Sequence, residues 1–148
     1  MMQVLQPPGW ARPRGYSNGI ATASGRLVFI AGQIGWNEKC EFVEKGFGGQ
    51  FRQTLKNILA VLAEAGGRPE HIVKLTWYVV DKAEYLAAGA EVGAAYRELM
   101  GKNYPTMAVV QVVALVEEAA RLEIEAMAVV PASVPASVPA SVPSSVPA

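Results

Sequence analysis

Near the middle of the chain, residues 72–80 read IVKLTWYVV. This run is rich in β-branched and aromatic side chains, which is typical of a β-strand. Alternate positions of a strand point to opposite faces. One face is entirely apolar and carries Val73, Leu75, Trp77 and Val79. The other face is only half polar and carries Ile72, Lys74, Thr76, Tyr78 and Val80. The pattern predicts a central strand whose first face lies under helices and whose second face is poorly suited to full exposure.

An amphipathic helix is predicted on each side of this strand. In the preceding segment the apolar stripe has helical spacing and consists of Phe51, Leu55, Ile58, Leu59 and Leu62. Gly66-Gly67 ends this helix, and Pro69 prevents its resumption. The second helix is predicted over residues 81–101, where Gly101 stops it. Its apolar stripe consists of Tyr85, Leu86, Val92, Tyr96 and Leu99.

The remaining strands surround these helices. Residues 16–23 and 27–33 are predicted to form a hairpin, and a short third strand is expected near residues 41–43. Two more strands are predicted over residues 106–113 and 122–130. The element order βββαβαββ indicates an α+β domain.

Two helices are too few to cover both sides of such a sheet. The segment Leu27-Val28-Phe29-Ile30-Ala31 is apolar on both of its faces. An exposed apolar sheet face of this size is unusual in a monomer, so we expect the uncovered face to meet another subunit. The pattern predicts an oligomer but does not give the number of subunits.

The C-terminal segment has a different character from the rest of the chain. From residue 131 it repeats the unit PASV, with proline at every fourth position. Proline removes a backbone donor and blocks both helix and central strand, and one valine per unit buries little surface. We therefore predict one folded domain over residues 1–130 and a disordered, dispensable tail over residues 131–148.

Composition excludes several classes of protein and site. The 13 basic and 13 acidic residues balance, which argues against nucleic acid or an anionic membrane as a partner. Residues 1–15 lack the apolar core of a secretory signal, and the lone Cys40 fits a reducing compartment, so a cytoplasmic location is expected. His71 and Cys40 are too few to build a zinc site, and we expect His71 to be a solvated loop residue.

Several short motifs follow one another in a specific order. YSNGI at residues 16–20 precedes GRLVFIAGQI at residues 25–34, and YP at 104–105 precedes EIEAMA at 123–128. Between them, the first helix carries Gln50, Leu55, Asn57, Leu62 and Ala65-Gly66. Over residues 7–130 the chain resembles the RidA (YjgF-type) family of enamine and imine deaminases.

The resemblance implies a fold, an assembly and a chemistry. The expected fold is chorismate-mutase-like, with a six-stranded sheet backed by two helices. Three subunits would form a homotrimer with three small-molecule clefts between neighbours. Family members commonly hydrolyse reactive enamines or imines to keto acids and ammonia, without a metal or organic cofactor. The imine carbon is already electrophilic, so a positioned water and oriented dipoles suffice.

The resemblance also implies a set of site residues. Tyr16 would lie at the cleft wall, Gly32 and Gln33 at its floor, and Glu123 would be the catalytic acid near the attacking water. Each residue also has an ordinary structural interpretation. Tyr16 is equally compatible with a plain strand aromatic, Gly32 with a bend of the sheet, and Glu123 with a solvated strand position.

One substrate-binding position departs from the family pattern. Imine-deaminating members have a carboxylate-binding arginine two residues after the proline that opens the fifth strand, and here that position is Met107. A thioether accepts weakly and donates nothing, so Met107 suits an apolar or uncharged ligand. Arg14 and Arg52 are candidates to supply the charge from elsewhere. Two functions stay open: a hydrolase with altered substrate specificity, and a non-catalytic small-molecule-binding or regulatory trimer.

Overall fold

The computed structural model of the chain describes residues 2–136. The strands are β1 (Met2–Leu5), β2 (Gly19–Thr22), β3 (Gly25–Gln33), β4 (Ile72–Val79), β5 (Thr106–Gln111) and β6 (Leu122–Pro131). The helices are α1 (Phe47–Glu64), α2 (Lys82–Ala87) and α3 (Gly89–Met100), and a single 3-10 turn, Pro69–His71, precedes β4. The α+β class is confirmed.

The strands form two separate sheets. A mixed four-stranded sheet has the order β3-β6-β4-β5, in which β4 and β5 run parallel and the other neighbours antiparallel. The strands β1 and β2 pair antiparallel with each other as a two-stranded sheet. The described residues thus contain six strands, but they form two sheets and not the single six-stranded sheet that was expected. The strand β1 was not predicted, and β2 pairs with it and not with β3, as the hairpin prediction required. Four residues are too few for β1 to show an alternating pattern in the sequence.

The predicted strand over residues 41–43 is absent, and that prediction was wrong. Asn37 closes this segment into a turn, because its Oδ1 accepts from the backbone N–H of Lys39 at 2.9 Å and of Glu41 at 3.1 Å. Cys40 lies in the left-handed region with a φ of 60°. Backbone donors that a side chain satisfies locally have no need of a neighbouring strand.

The second predicted helix is broken into α2 and α3 at Ala88. The start of α2 is as expected, since Asp81 Oδ1 accepts from the backbone N–H of Ala83 at 2.8 Å. The predicted stops are also confirmed. Gly66 and Gly101 follow α1 and α3 with φ values of 72° and 62°, a region that favours glycine.

The helices cover one face of the four-stranded sheet. The buried stripe of α1 packs there with Leu75, Trp77 and Val79 of β4, as predicted. Ile72 joins this core in place of Val73, contrary to the predicted alternation, because the register shifts between Ile72 and Lys74. The opposite face, called the open face below, carries Leu27 and Phe29, whose side chains are 62% and 69% exposed. Two large apolar side chains on this face are therefore uncovered within one protomer.

The start of the repeat segment packs against the domain. Arg26 Nη1 donates to the carbonyl of Val134 at 2.8 Å, and Arg26 Nη2 donates to the carbonyl of Ala65 at 2.9 Å. The Val134 side chain is half-buried against the core. Residues 137–148 lie outside the described residues, so disorder remains a prediction for them. Within residues 2–136, no helix is long and apolar enough to cross a bilayer.

Candidate functional site

Tyr16 and Met107 line the same cavity, which has a volume of about 550 Å³. Met107 lies on β5, on the side of the sheet that α2 and α3 cover, and packs against the core. The loop carrying Tyr16 is tied to the entrance of β5. The Ser17 hydroxyl donates to the carbonyl of Tyr104 at 2.5 Å, and the Ser17 N–H donates to the carbonyl of Pro105 at 3.1 Å.

The cavity walls are mainly aromatic and aliphatic. They include Trp77, Tyr85, Tyr96 and Tyr104, together with Leu86, Val92 and Val109. The rings of Tyr96 and Tyr104 stack with centroids 5.6 Å apart, and Tyr85 meets Trp77 edge-on at 6.0 Å. Burial raises the pKa of Tyr96 far above its ordinary value, and its hydroxyl donates to the carbonyl of Asn103. Tyr96 is therefore neutral at neutral pH, and its hydroxyl proton is engaged with a backbone carbonyl.

Trp77 carries a polar atom that the fold leaves unused. Its side chain is 3% exposed, stacks on Phe51 at 4.8 Å and lines the cavity. The indole Nε1 is buried and lacks a hydrogen-bond partner among the described residues. Burying a donor without a partner costs about 1–3 kcal/mol.

Two arginines lie at the opening of the cavity. Arg14 and Arg97 line it and are solvent-exposed, and neither forms an ion pair within residues 2–136. Arg52, the other sequence candidate for a replacement charge, is not among the lining residues and instead pairs with Glu98. Sequence reasoning missed Arg97, since an arginine on an exposed helix face carries no signal that separates it from other solvated charges.

Gly32 and Glu123 contact each other on the open face. Glu123 alternates along β6 with the buried Leu122 and Ile124, so its side chain points away from the helices. A Cβ atom at position 32 would lie 2.8 Å from Cδ of Glu123 and would overlap its Oε1. The register shifts between Ile30 and Gln33, so Gly32 also occupies an irregularity of the sheet. The interpretation of Gly32 as a bend of the sheet is therefore supported, and its place at the floor of a ligand cleft stays a prediction.

The Gly32–Gln33 segment is held by side-chain hydrogen bonds. Gln33 Nε2 donates to the carbonyl of Ala31 at 3.1 Å. Asn57 of α1 donates to the carbonyls of Ile34 at 3.0 Å and Trp36 at 2.8 Å. One amide on the main helix thus fixes the chain directly after the bulge.

The site residues fall into two groups within one protomer. Tyr16 and Met107 belong to the cavity on the helix side of the sheet, while Gly32 and Glu123 lie on the open face and Gln33 ends the bulge beside them. A single subunit does not bring the five residues to one point.

The remaining metal-binding residue types are dispersed. No three of the His, Cys, Asp and Glu side chains described in residues 2–136 are grouped so that they could hold a metal ion. His71 is buried, and its Nδ1 accepts from the backbone N–H of Arg68 at 3.0 Å. The expectation of a solvated His71 was wrong, because the imidazole closes the turn before β4.

Comparison with known proteins identifies the family. Residues 10–130 match the family model described as Endoribonuclease L-PSP. A RutC family protein of Haemophilus influenzae is 36% identical over 105 residues, which cover 71% of this chain and 80% of that protein. Human 2-iminobutanoate/2-iminopropanoate deaminase is 30% identical over 130 residues, covering 87% of this chain and 88% of the human protein.

A solved structure has the same fold. The Yersinia pestis protein YyfB, of the conserved Rid protein family, superimposes with a TM-score of 0.75 and 33% identity, covering 87% of this chain and 98% of YyfB. The family-model match spans most of the chain, and the sequence relatives and the superposition agree with it. The chain is therefore a member of the YjgF/RidA family.

Proposed function

We propose that this protein is a cofactor-independent hydrolase of a reactive enamine or imine-like metabolite, working in clefts between the subunits of a homotrimer. The observation that carries the proposal is the Glu123 carboxylate lying against the backbone of Gly32 on the open face. A deaminase activity is named for the human relative, which matches most of this chain. We assign the same class of chemistry to this chain, with Glu123 as its catalytic carboxylate.

The reaction needs few groups. Water adds to the imine carbon, the carbon–nitrogen bond breaks, and a keto compound and ammonia leave. A carboxylate near the water accepts its proton and returns one to the departing nitrogen. Glu123 is suited to this role because Gly32 has no side chain, so the carboxylate can lie directly against the backbone of the sheet there. Tyr16, Gln33 and Met107 would bind and orient the substrate.

A cleft between subunits accounts for the separation of the two groups. The open face carries Glu123 and exposes Leu27 and Phe29, whereas the cavity with Tyr16 and Met107 lies on the other side of the sheet. Burying the open face against a neighbour would remove apolar surface from water and bring the neighbour's cavity near Glu123. The homotrimer is the assembly that family membership suggests.

Substrate specificity is proposed to differ from that of arginine-bearing relatives. Met107 lies in a cavity whose walls are apolar and aromatic, and it cannot grip a carboxylate. A charge-assisted hydrogen bond contributes about 1.5–3 kcal/mol, so its loss would weaken binding of a small imino acid roughly 10- to 150-fold.

The second candidate function is a non-catalytic binding or regulatory trimer. It is favoured by the cavity itself, whose lining includes no Asp, Glu, His, Cys or Lys side chain within the described residues. Such a cavity is suited to holding a small molecule but supplies no carboxylate, imidazole, thiol or amine for proton transfer.

Imine hydrolysis by a variant of Glu123 separates the two functions. An amino-acid oxidase generates imines from alanine, leucine and phenylalanine, and their disappearance is followed against the spontaneous rate. We expect acceleration of at least one imine and a loss of roughly 100-fold in Glu123→Gln, since the amide cannot accept a proton. Glu125→Gln is the matched control, because Glu125 lies two residues further along the same face and bonds Tyr78 at 2.9 Å. No acceleration of any imine would leave the binding trimer as the function.

A further inference from the structure

The opening of the cavity carries positive charge that the fold does not neutralise. Arg14 and Arg97 line the cavity and form no ion pair in residues 2–136, whereas Arg52, Arg68 and Arg121 each pair with a glutamate. Both side chains are exposed, while Trp77 and Tyr96 deeper in the wall are buried. The cavity therefore has a cationic rim and an apolar interior.

The position of Arg97 depends on a glycine one helical turn earlier. A Cβ atom at Gly93 would lie 3.2 Å from Arg97 Nη1, so the guanidinium lies back over the helix at that point. Gly93 itself lines the cavity. Because Gly93 has no side chain, the guanidinium of Arg97 has space to lie at the cavity opening.

The interior is suited to a planar apolar body. The cavity volume of about 550 Å³ falls in the range of small-molecule sites. Tyr96 and Tyr104 stack within 8° of parallel, and Met107 supplies a polarizable thioether to the same space. Aromatic rings and methionine sulfur both interact favourably with a flat aromatic group.

We propose that the ligand of this cavity is an anion with a bulky, planar apolar body, whose carboxylate is held at the rim by Arg14 and Arg97. This inference rests on the proposed function, because it names the substrate class of the same site. For the hydrolase, it means imines derived from aromatic amino acids in preference to 2-iminopropanoate. The apolar body lies against Met107 and the tyrosines, and the carboxylate with the adjacent imine carbon lies at the opening, where a neighbouring subunit approaches.

Binding of stable analogues tests the inference without requiring turnover. Calorimetry compares 3-phenylpropanoate with the neutral 3-phenylpropanamide and with propanoate, which lacks the ring. We expect 3-phenylpropanoate to bind roughly ten-fold or more tightly than either of the others, since only it satisfies both rim and interior. Arg14→Gln and Arg97→Gln should each weaken its binding several-fold and leave binding of the amide unchanged.

Matched controls remove the same charge elsewhere. Arg12→Gln removes an exposed arginine that lies two residues from Arg14 and does not line the cavity. Arg52→Gln removes an arginine of α1 that pairs with Glu98 of α3 and does not line the cavity either. Equal losses in these controls would overturn the inference, as would an amide or propanoate that binds as tightly as 3-phenylpropanoate. The expected binding pattern without hydrolysis of any imine would refute the hydrolase alone. Imine hydrolysis without that binding pattern would refute the ligand class alone.

Discussion

Met107 and Arg97 line one cavity but differ in what they supply: Met107 supplies a thioether to its interior, and Arg97 a positive charge at its opening. Met107 and Tyr16 were identified from motifs, and both lie in one cavity. Arg97 could not be identified in this way, because its relation to the cavity depends on the fold of α3 and on the space beside Gly93. The pairing of Arg52 with Glu98 likewise could not be predicted, because it depends on how α1 packs against α3. A motif gives residue types at positions, whereas the use of an exposed charge depends on tertiary contacts.

At the residue scale, we predict that Met107→Arg raises hydrolysis of 2-iminopropanoate roughly ten-fold or more. The new guanidinium would hold the carboxylate of this small substrate with charge-assisted hydrogen bonds. The measurement is the rate at which the imine generated from alanine disappears, compared with the wild-type protein. Introducing Glu123→Ala into the same chain should abolish the gain.

Leu86→Arg is the control for added charge. Leu86 lines the same cavity but is 65% exposed, so an arginine there adds charge at the rim without replacing Met107. Two results would contradict the prediction: hydrolysis of 2-iminopropanoate that rises equally in Leu86→Arg, or that does not rise in Met107→Arg. Either result would show that the residue at position 107 does not limit hydrolysis of small imino acids.

At the element scale, the periodic segments were predictable and the short or locally bonded ones were not. The stripe of α1 and the alternation of β4 extend over enough residues for the buried face to emerge from the pattern. β1 is too short to do so, and Asn37 turns a strand-like segment into a loop. The whole PASV segment was predicted to be disordered from its composition, whereas Val134 packs against the core.

We predict that two truncations of the repeat segment differ in stability. Ending the chain after Ala136 should leave the melting temperature unchanged, whereas ending it after Val130 should lower it by several degrees. The shorter chain loses the apolar contacts of Val134 and its hydrogen bond from Arg26, together about 1–3 kcal/mol. Thermal unfolding followed by circular dichroism measures both.

Arg26→Gln distinguishes the contact from a general effect of chain length. It should lower the melting temperature more in the chain ending at Ala136 than in the chain ending at Val130, where its Val134 partner is already missing. Equal effects in the two chains would mean that Arg26 acts only through Ala65.

At the scale of the whole molecule, the uncovered sheet face could be predicted from the sequence, but the distribution of the site residues over the two faces of the sheet could not. The open face follows from counting helices against apolar strand faces, and Leu27 and Phe29 are exposed as that argument requires. The separation of Tyr16 and Met107 from Gly32 and Glu123 was not predictable, since it depends on which face of the sheet each strand position occupies. That separation makes the assembly part of the proposed mechanism.

Mixed trimers of two inactive variants test most directly whether the site is completed across subunits. Glu123→Gln removes the proposed acid, and Met107→Trp fills the cavity. The two chains are unfolded together in equal amounts and refolded, and light scattering should give three times the 15.7 kDa chain mass. Three quarters of random trimers contain both chains, and each has one intact cleft in three, so about one quarter of wild-type imine hydrolysis should return. No recovery in trimers of the correct mass, or a mass of one chain, would contradict a site shared between subunits.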